Sequence, residues 1–324
     1  MSVVAGCLLF DGVLLAADSR VTFPRPSFSD VHVDYAQKLF AVAPGTALGY
    51  VGSITVASLL LRELFAQISQ RRRVDPISLA LWMTRFFRAT YSRTFHIHGG
   101  AAVAFMIASS LHDRHTIVAR EDVAAIVRRI TSGHSPFQRN WMPGILVKIL
   151  QTPPTTQLVE IPGTTRGILY TMESPSFVPV PCRPLHFAAI GSGSGALTTV
   201  SRNHDMIVAG QPGNTSMESM FLAEAIQEFI RDNGITSVGG LYQIVKVRGR
   251  QVEFIGLQSQ YPVGGTQIEL IMRNERLIQR NATTGREMQL LYPWEIPFNE
   301  THSRVFDDLE EAYRRFVSPA PASA

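Results

Sequence analysis

Residues 3–10 are apolar throughout, Asp11-Gly12 interrupts them, and 13–17 are apolar again. Asp-Gly between two such runs is a favoured two-residue hairpin turn. Strands apolar on both faces predict a sheet that is covered on each side. After a polar stretch over 22–37, a second pair follows: Lys38 to Val42, a Pro44-Gly45 turn, then Thr46 to Tyr50. The run "ITVASLLLRELFAQISQ" has helical periodicity and begins just after Ser53, a residue type that caps helix N-termini. Asp75-Pro76 opens a second helix to about residue 94, with Asp75 as N-cap and Pro76 at the first helical position.

Further β patterns occupy 101–109, 145–151, 156–161, 166–172 and 185–190, and the polar segment 110–144 between the first two reads as an insertion made irregular by "SGHSPFQRNWMPG". Helical patterns return at about 195–209 and 216–232, followed by β patterns at 241–257 and 266–280. "DDLEEAYRRF" is a short acidic-then-basic helix, and the last residues, 318–324, read as a disordered tail. Strands, helix pair, strands, helix pair, strands: this order predicts an α+β protein, a four-layer αββα sandwich in one domain over 1–317, with insertions at 22–37 and 110–144.

Composition changes this picture little. The chain has 324 residues, 45% hydrophobic and 17% charged, with net charge +4, the balance of a globular protein long enough for a sizeable core. The run Arg71-Arg72-Arg73 reads as a solvated helix end rather than a nucleic-acid patch. Two cysteines, Cys7 and Cys182, exclude a disulfide framework and point to a reducing compartment. The first apolar run is too short for a membrane span and lacks a basic flank, so a cytoplasmic location without membrane contact is expected. The sequon at Asn281 then receives no glycan.

The chemistry gathers at the hairpin end. With Asp11-Gly12 as the turn, Asp18 faces Ala5, three residues from Ser2, about 10 Å at ~3.3 Å per residue, a gap that a lysine side chain spans. Asp18 and Arg20 share a face by alternation and are expected to form one charged pair. The same register puts Ser2 on the opposite face, so a bulge or a turned terminal residue is needed to bring its hydroxyl to the charges.

"DGVLLAADSR", preceded by a small hydroxyl residue, then "QKLF" and "GYVGS", resembles the proteasome β-subunit family of N-terminal-nucleophile hydrolases, in particular its divergent bacterial homologues. The resemblance is dense over 2–60 and returns at "AAIGSGSGA". It implies Ser2 as nucleophile, Asp18, Arg20 and Lys38 as the charged network, Gly52 as the oxyanion amide, and Ser192, or Ser194 if the loop shifts, as the supporting serine. "DNGITSVGG" offers Ser237, but Gly234 stands where the family's acid falls, and Asp232 reaches the site only with an insertion in between. The resemblance also implies peptide or unfolded-protein substrates, homo-oligomeric rings, and by analogy an ATPase unfoldase. The apolar helix over 54–69 is a candidate for packing between protomers.

The physical logic stands beside the name. A hydroxyl becomes a nucleophile when a base takes its proton, and an α-amine with pKa of about 7.7–8.0 on the same residue can do so. Excision of Met1, expected before a small residue, creates that amine. Lys38 paired with Asp18 places positive potential beside it, and an amide at the strand-to-helix junction at Gly52 can face an oxyanion. No cofactor or metal is called for: Phe95-His96-Ile97-His98 alternates two histidines on one strand face without a third ligand, His204-Asp205 reads as helix surface, and Gly163-Thr164-Thr165 reads as a turn. Two other readings stay open: a noncatalytic scaffold that keeps Met1 and uses Asp18, Arg20 and Lys38 as structural ions, and an amidase on a small acyl compound.

Overall fold

A computed structural model describes residues 2–9, 12–23, 31–68, 75–110, 115–132, 157–162, 167–183, 186–192, 215–235, 238–255, 258–263, 266–273, 276–296 and 303–317. In chain order the elements are β1 (Val3–Leu9), β2 (Gly12–Ala17), β3 (Val21–Phe23), β4 (Val31–Val33), β5 (Leu39–Ala43), β6 (Thr46–Gly52), α1 (Ile54–Ile68), α2 (Pro76–Arg93), α3 (Phe95–His98), β7 (Val103–Ser110), β8 (His115–Ala119) and α4 (Arg120–Ser132). There follow β9 (Leu158–Pro162), β10 (Gly167–Glu173), β11 (Val180–Pro181), β12 (Phe187–Gly191), α5 (Thr215–Asp232), β13 (Gln243–Arg248), β14 (Gln251–Ile255), β15 (Gln258–Val263), β16 (Thr266–Arg273), β17 (Arg276–Asn281), β18 (Glu287–Gln289), a 3₁₀ turn at Pro293–Glu295 and α6 (Ser303–Val317).

The fold is α+β, built on antiparallel sheets. One five-stranded sheet runs β12-β1-β2-β13-β14 and another runs β11-β10-β7-β6-β5. Both strands of the first hairpin are buried on each face, because this sheet has one face against the other sheet. Val4, Leu8, Val13, Leu15 and Val245 from the first sheet share a core cluster with Leu39, Ala47, Met106, Ala108 and Leu169 from the second. The far face of the second sheet is covered by α1 and α2 through Leu60, Leu61, Leu64, Met83 and Phe87 against Phe40, Tyr50 and Phe105. Phe87 and Phe105 stack with ring centroids 4.2 Å apart. α5 lies against β2 and β14 of the first sheet.

Local chemistry sets the helix starts. The Ser53 hydroxyl accepts from Val56 N at 3.4 Å, and Asp75 Oδ1 accepts from Ser78 N at 3.0 Å, each satisfying an amide that the helix leaves without a partner. The apolar face of α1 is spent inside the chain, on α2, the second sheet and the Pro293–Glu295 turn.

Four other readings of the pattern change. Leu9 pairs with Gly12 and Val4 with Ala17, so each residue's partner in the first hairpin is shifted by two positions from the one an Asp11-Gly12 turn gives. Gly12 serves a close approach instead: a Cβ there would sit 2.2 Å from Val247 O of β13, at φ +153°. Phe95–His98 is one helical turn, not a strand. His98 ties it back, with Nε2 at 3.0 Å from Tyr91 O while Nδ1 accepts from Gly100 N at 3.1 Å. The segment 110–144 contributes β8, paired with β9, and α4 rather than irregular chain alone.

The run 241–257 is the hairpin β13–β14, and 266–280 the hairpin β16–β17 of a separate four-stranded sheet, β15-β16-β17-β18. Tyr35, Leu241, Ile268, Leu270, Leu277 and Phe316 form its core against α6. The expected strand at 145–151 and helix at 195–209, the Arg71–Arg73 run, Gly163–Thr165 and the 318–324 tail lie outside the described residues. No helix among the described residues is long and apolar enough to cross a membrane.

Candidate active site

The shifted register does what the expected one could not. It brings Asp18 opposite Val3, where the Val3 amide donates to Asp18 Oδ1 at 2.9 Å and the Asp18 amide reaches Val3 O at 3.4 Å. Ser2, just ahead of β1, is no longer bound by strand alternation. Its carbonyl is anchored by the Ser192 amide at 2.9 Å, and its hydroxyl meets the charged groups at the hairpin end.

Lys38 joins them from the segment leading into β5. Its Nζ lies 2.8 Å from Asp18 Oδ1 and 2.9 Å from Ser2 Oγ, and it also donates to the Arg20 carbonyl. Asp18 and Lys38 are both 0% exposed, and Ser2 is 8% exposed. Asp18 is held by more than its cation: the Arg20 amide donates to its Oδ2 at 3.2 Å and the Gly239 amide at 3.4 Å.

Burial pushes the Lys38 amine below the ordinary lysine range, against the opposing pull of Asp18. The three acceptors around Nζ match the three protons of an ammonium. With one proton gone, the amine still donates to Asp18 and to the Arg20 carbonyl, and its lone pair faces the Ser2 hydroxyl. The buried Tyr50 phenol is pushed well above its usual range, first by burial and then by the Asp18 charge, so it adds no charge here.

Arg20 corrects one expectation. Its guanidinium forks onto Asp34, with Nε at 2.6 Å from Oδ1 and Nη2 at 2.7 Å from Oδ2, rather than onto Asp18. This two-point bond raises the Arg20 pKa over the opposing effect of burial. The backbone whose carbonyl receives Lys38 is held by Gly239 O, which accepts the amides of both Ser19 and Arg20 at 3.2 and 3.1 Å.

Gly191 closes the floor under Ser2. At φ +81°, a Cβ on it would sit 2.1 Å from Ser2 O and 3.1 Å from Val51 Cβ, so only glycine lets the three strands meet. Gly52 ends β6 at φ +100°, where a Cβ would sit 2.5 Å from Ala102 O. Asp232 is not brought in. It is the last residue of α5, exposed, and 3.5 Å from Arg231 Nε. Ser194 and Ser237 lie outside the described residues.

Sequence reasoning missed Asp34 and Gln243. Asp34 sits in the polar stretch read as an insertion, where an acid carries no signal. Gln243 did carry one: it is a polar residue set directly before the apolar pair Ile244-Val245, and it is 0% exposed. Among the described residues no group of three or more His, Cys, Asp or Glu could hold a metal ion.

No family model matches the chain, and no curated protein matches it. Among solved structures the chain is similar to the Anbu (Gly-1) mutant from Hyphomicrobium sp. strain MC1, at 11% identity over 100% of both chains and a TM-score of 0.48. A likeness of that size is too low to argue from. The proteasome β-subunit resemblance is accordingly corrected: no model of that family matches, and the solved structure named above is an Anbu mutant at 11% identity. Short motifs around one hairpin do not establish a family without agreement along the rest of the chain.

Proposed function

We propose that the protein is an amide-bond hydrolase, a peptidase, in which Ser2 is the nucleophile after a cut between Met1 and Ser2. The observation that carries this reading is the 2.9 Å contact between the fully buried Lys38 Nζ and Ser2 Oγ, on a residue that stays 8% exposed. A buried ion pair alone is weak support for stability. A lysine whose charged form is disfavoured, aimed at a hydroxyl, has a use in proton transfer.

In this reading the Ser2 O–H bond breaks, its proton passes to the neutral Lys38 amine or the Ser2 α-amine, and Oγ bonds the substrate carbonyl carbon. The carbonyl electron pair moves to oxygen, which the Gly52 amide faces. Collapse breaks the C–N bond, the proton leaves with the amine product, and an ester remains on Ser2. Water repeats the sequence and releases the acid. Asp18 holds Lys38 throughout, and Gly239 O holds the backbone whose carbonyl receives one of its protons. The fold in this reading is a four-layer αββα sandwich, supported by the shared core of the two five-stranded sheets and the helices packed outside each.

Hydrolysis of a panel of peptide amides and small acyl amides tests it. The expected result is turnover of peptides that Ser2→Ala abolishes and Ser2→Thr retains. Turnover surviving in Ser2→Ala overturns the assignment, and turnover confined to small acyl amides overturns the peptidase.

A further inference from the structure

Lys38 lies just before β5, which among the described residues is the edge strand of the second sheet. Gln243, the first residue of β13 in the first sheet, meets the backbone there. Its Oε1 accepts from the Lys38 amide at 2.8 Å and the Leu39 amide at 3.2 Å, and its Nε2 donates to the Ala36 carbonyl at 2.7 Å. Gln243 is opposite Ala17 in the β13–β2 pairing, one residue from Asp18. One side-chain amide therefore measures off the lysine's segment against the strand that carries its carboxylate.

We propose that Gln243 is the positioning residue that sets the reach of the Lys38 amine to Asp18 and Ser2. A glutamine suits the task because one planar group supplies two acceptor lone pairs and a donor in fixed geometry, and at full burial each unmade bond carries its whole desolvation cost. The inference concerns Lys38 geometry and rests on the hydrolase reading only for its effect on turnover.

The chain has three lysines, Lys38, Lys148 and Lys246, so full-length protein labelled with carbon-13 at lysine Cε gives three resolvable titrations by NMR. The charged groups facing the Lys38 amine are Asp18, Asp34 and Arg20, and none is altered by the variants. Gln243→Met keeps the volume and removes all three hydrogen bonds. The expected result is a Lys38 midpoint displaced by about half a pH unit or more, a ~3-fold change in the proton equilibrium, with Lys246 unmoved. Val245→Ala, a cavity in the same strand, lowers the Tm without moving Lys38. If Gln243→Met does not fold, Gln243→Asn, one methylene too short to reach, is read the same way.

An unmoved Lys38 midpoint in the variant, or an equal displacement in Val245→Ala, overturns the proposal. A sensitive Lys38 in a protein without Ser2-dependent turnover sinks the hydrolase and leaves the strut standing, and the reverse pair of results does the opposite.

Discussion

Replacing Asp18 with alanine takes the directly bonded carboxylate away from a fully buried lysine. The Lys38 ammonium loses its partner at 2.8 Å, and the amides of Val3, Arg20 and Gly239 lose an acceptor at 2.9, 3.2 and 3.4 Å. Breaking a buried pair from one side costs about 3–5 kcal/mol. Part is recovered because the lysine, already biased towards neutrality by burial, sheds its proton. A net loss of about 3 kcal/mol corresponds to a Tm drop of roughly 4–5 °C for a chain of 324 residues. The double variant Asp18→Ala with Lys38→Met removes both charges, so it should be more stable than the sum of the single losses by about 1–3 kcal/mol. Thermal and urea unfolding of the four proteins give this cycle. Additive losses, or a single-variant drop of under ~2 °C, would refute the claim that the pair organises the hairpin end.

Two other outcomes follow from the same site. The folded pKa of Lys38 lies below its unfolded value, so between the two the unfolded chain binds more protons and stability rises with pH, reaching its full value above ~10.4. Subtracting the pH–stability curve of Lys38→Met from the parent's should leave that rise, and a flat or falling difference contradicts the direction assigned to Lys38. Gly191→Ala places a methyl 2.1 Å from Ser2 O at φ +81°. It should cost at least about 1–3 kcal/mol and reduce Ser2 reactivity more than Tm alone explains, whereas a neutral effect on both would mean that Ser2 is not held there.

Much of the fold was legible because local chemistry and long-range packing agree. Ser53 and Asp75 cap the helices they precede, and the first hairpin's unbroken apolar runs announce a sheet with both faces covered. The nearness of Asp18 to the first residues needed only a strand's rise per residue. Other features depend on partners that sequence does not name. The hairpin register was set by Gly12 tucking under Val247, more than two hundred residues away, and not by turn preference.

Arg20 found Asp34 instead of Asp18 because a lysine from another strand had already taken that carboxylate. The alternation in Phe95–His98 suggested a strand, but one helical turn and two bonds to His98 place it otherwise. Gln243 was visible as a misplaced polar residue, and its meaning came only with the edge-strand backbone that it satisfies.

The central claim is that Ser2, freed of Met1, attacks a carbonyl. Intact mass of untagged protein before and after a peptide epoxyketone, whose ring adduct needs both a free α-amine and its neighbouring hydroxyl, addresses it directly. The account predicts loss of Met1 and one adduct per chain, absent in Ser2→Ala and slowed in Lys38→Met. Protein that keeps Met1 and takes up no adduct, or an adduct that survives in Ser2→Ala, would contradict it.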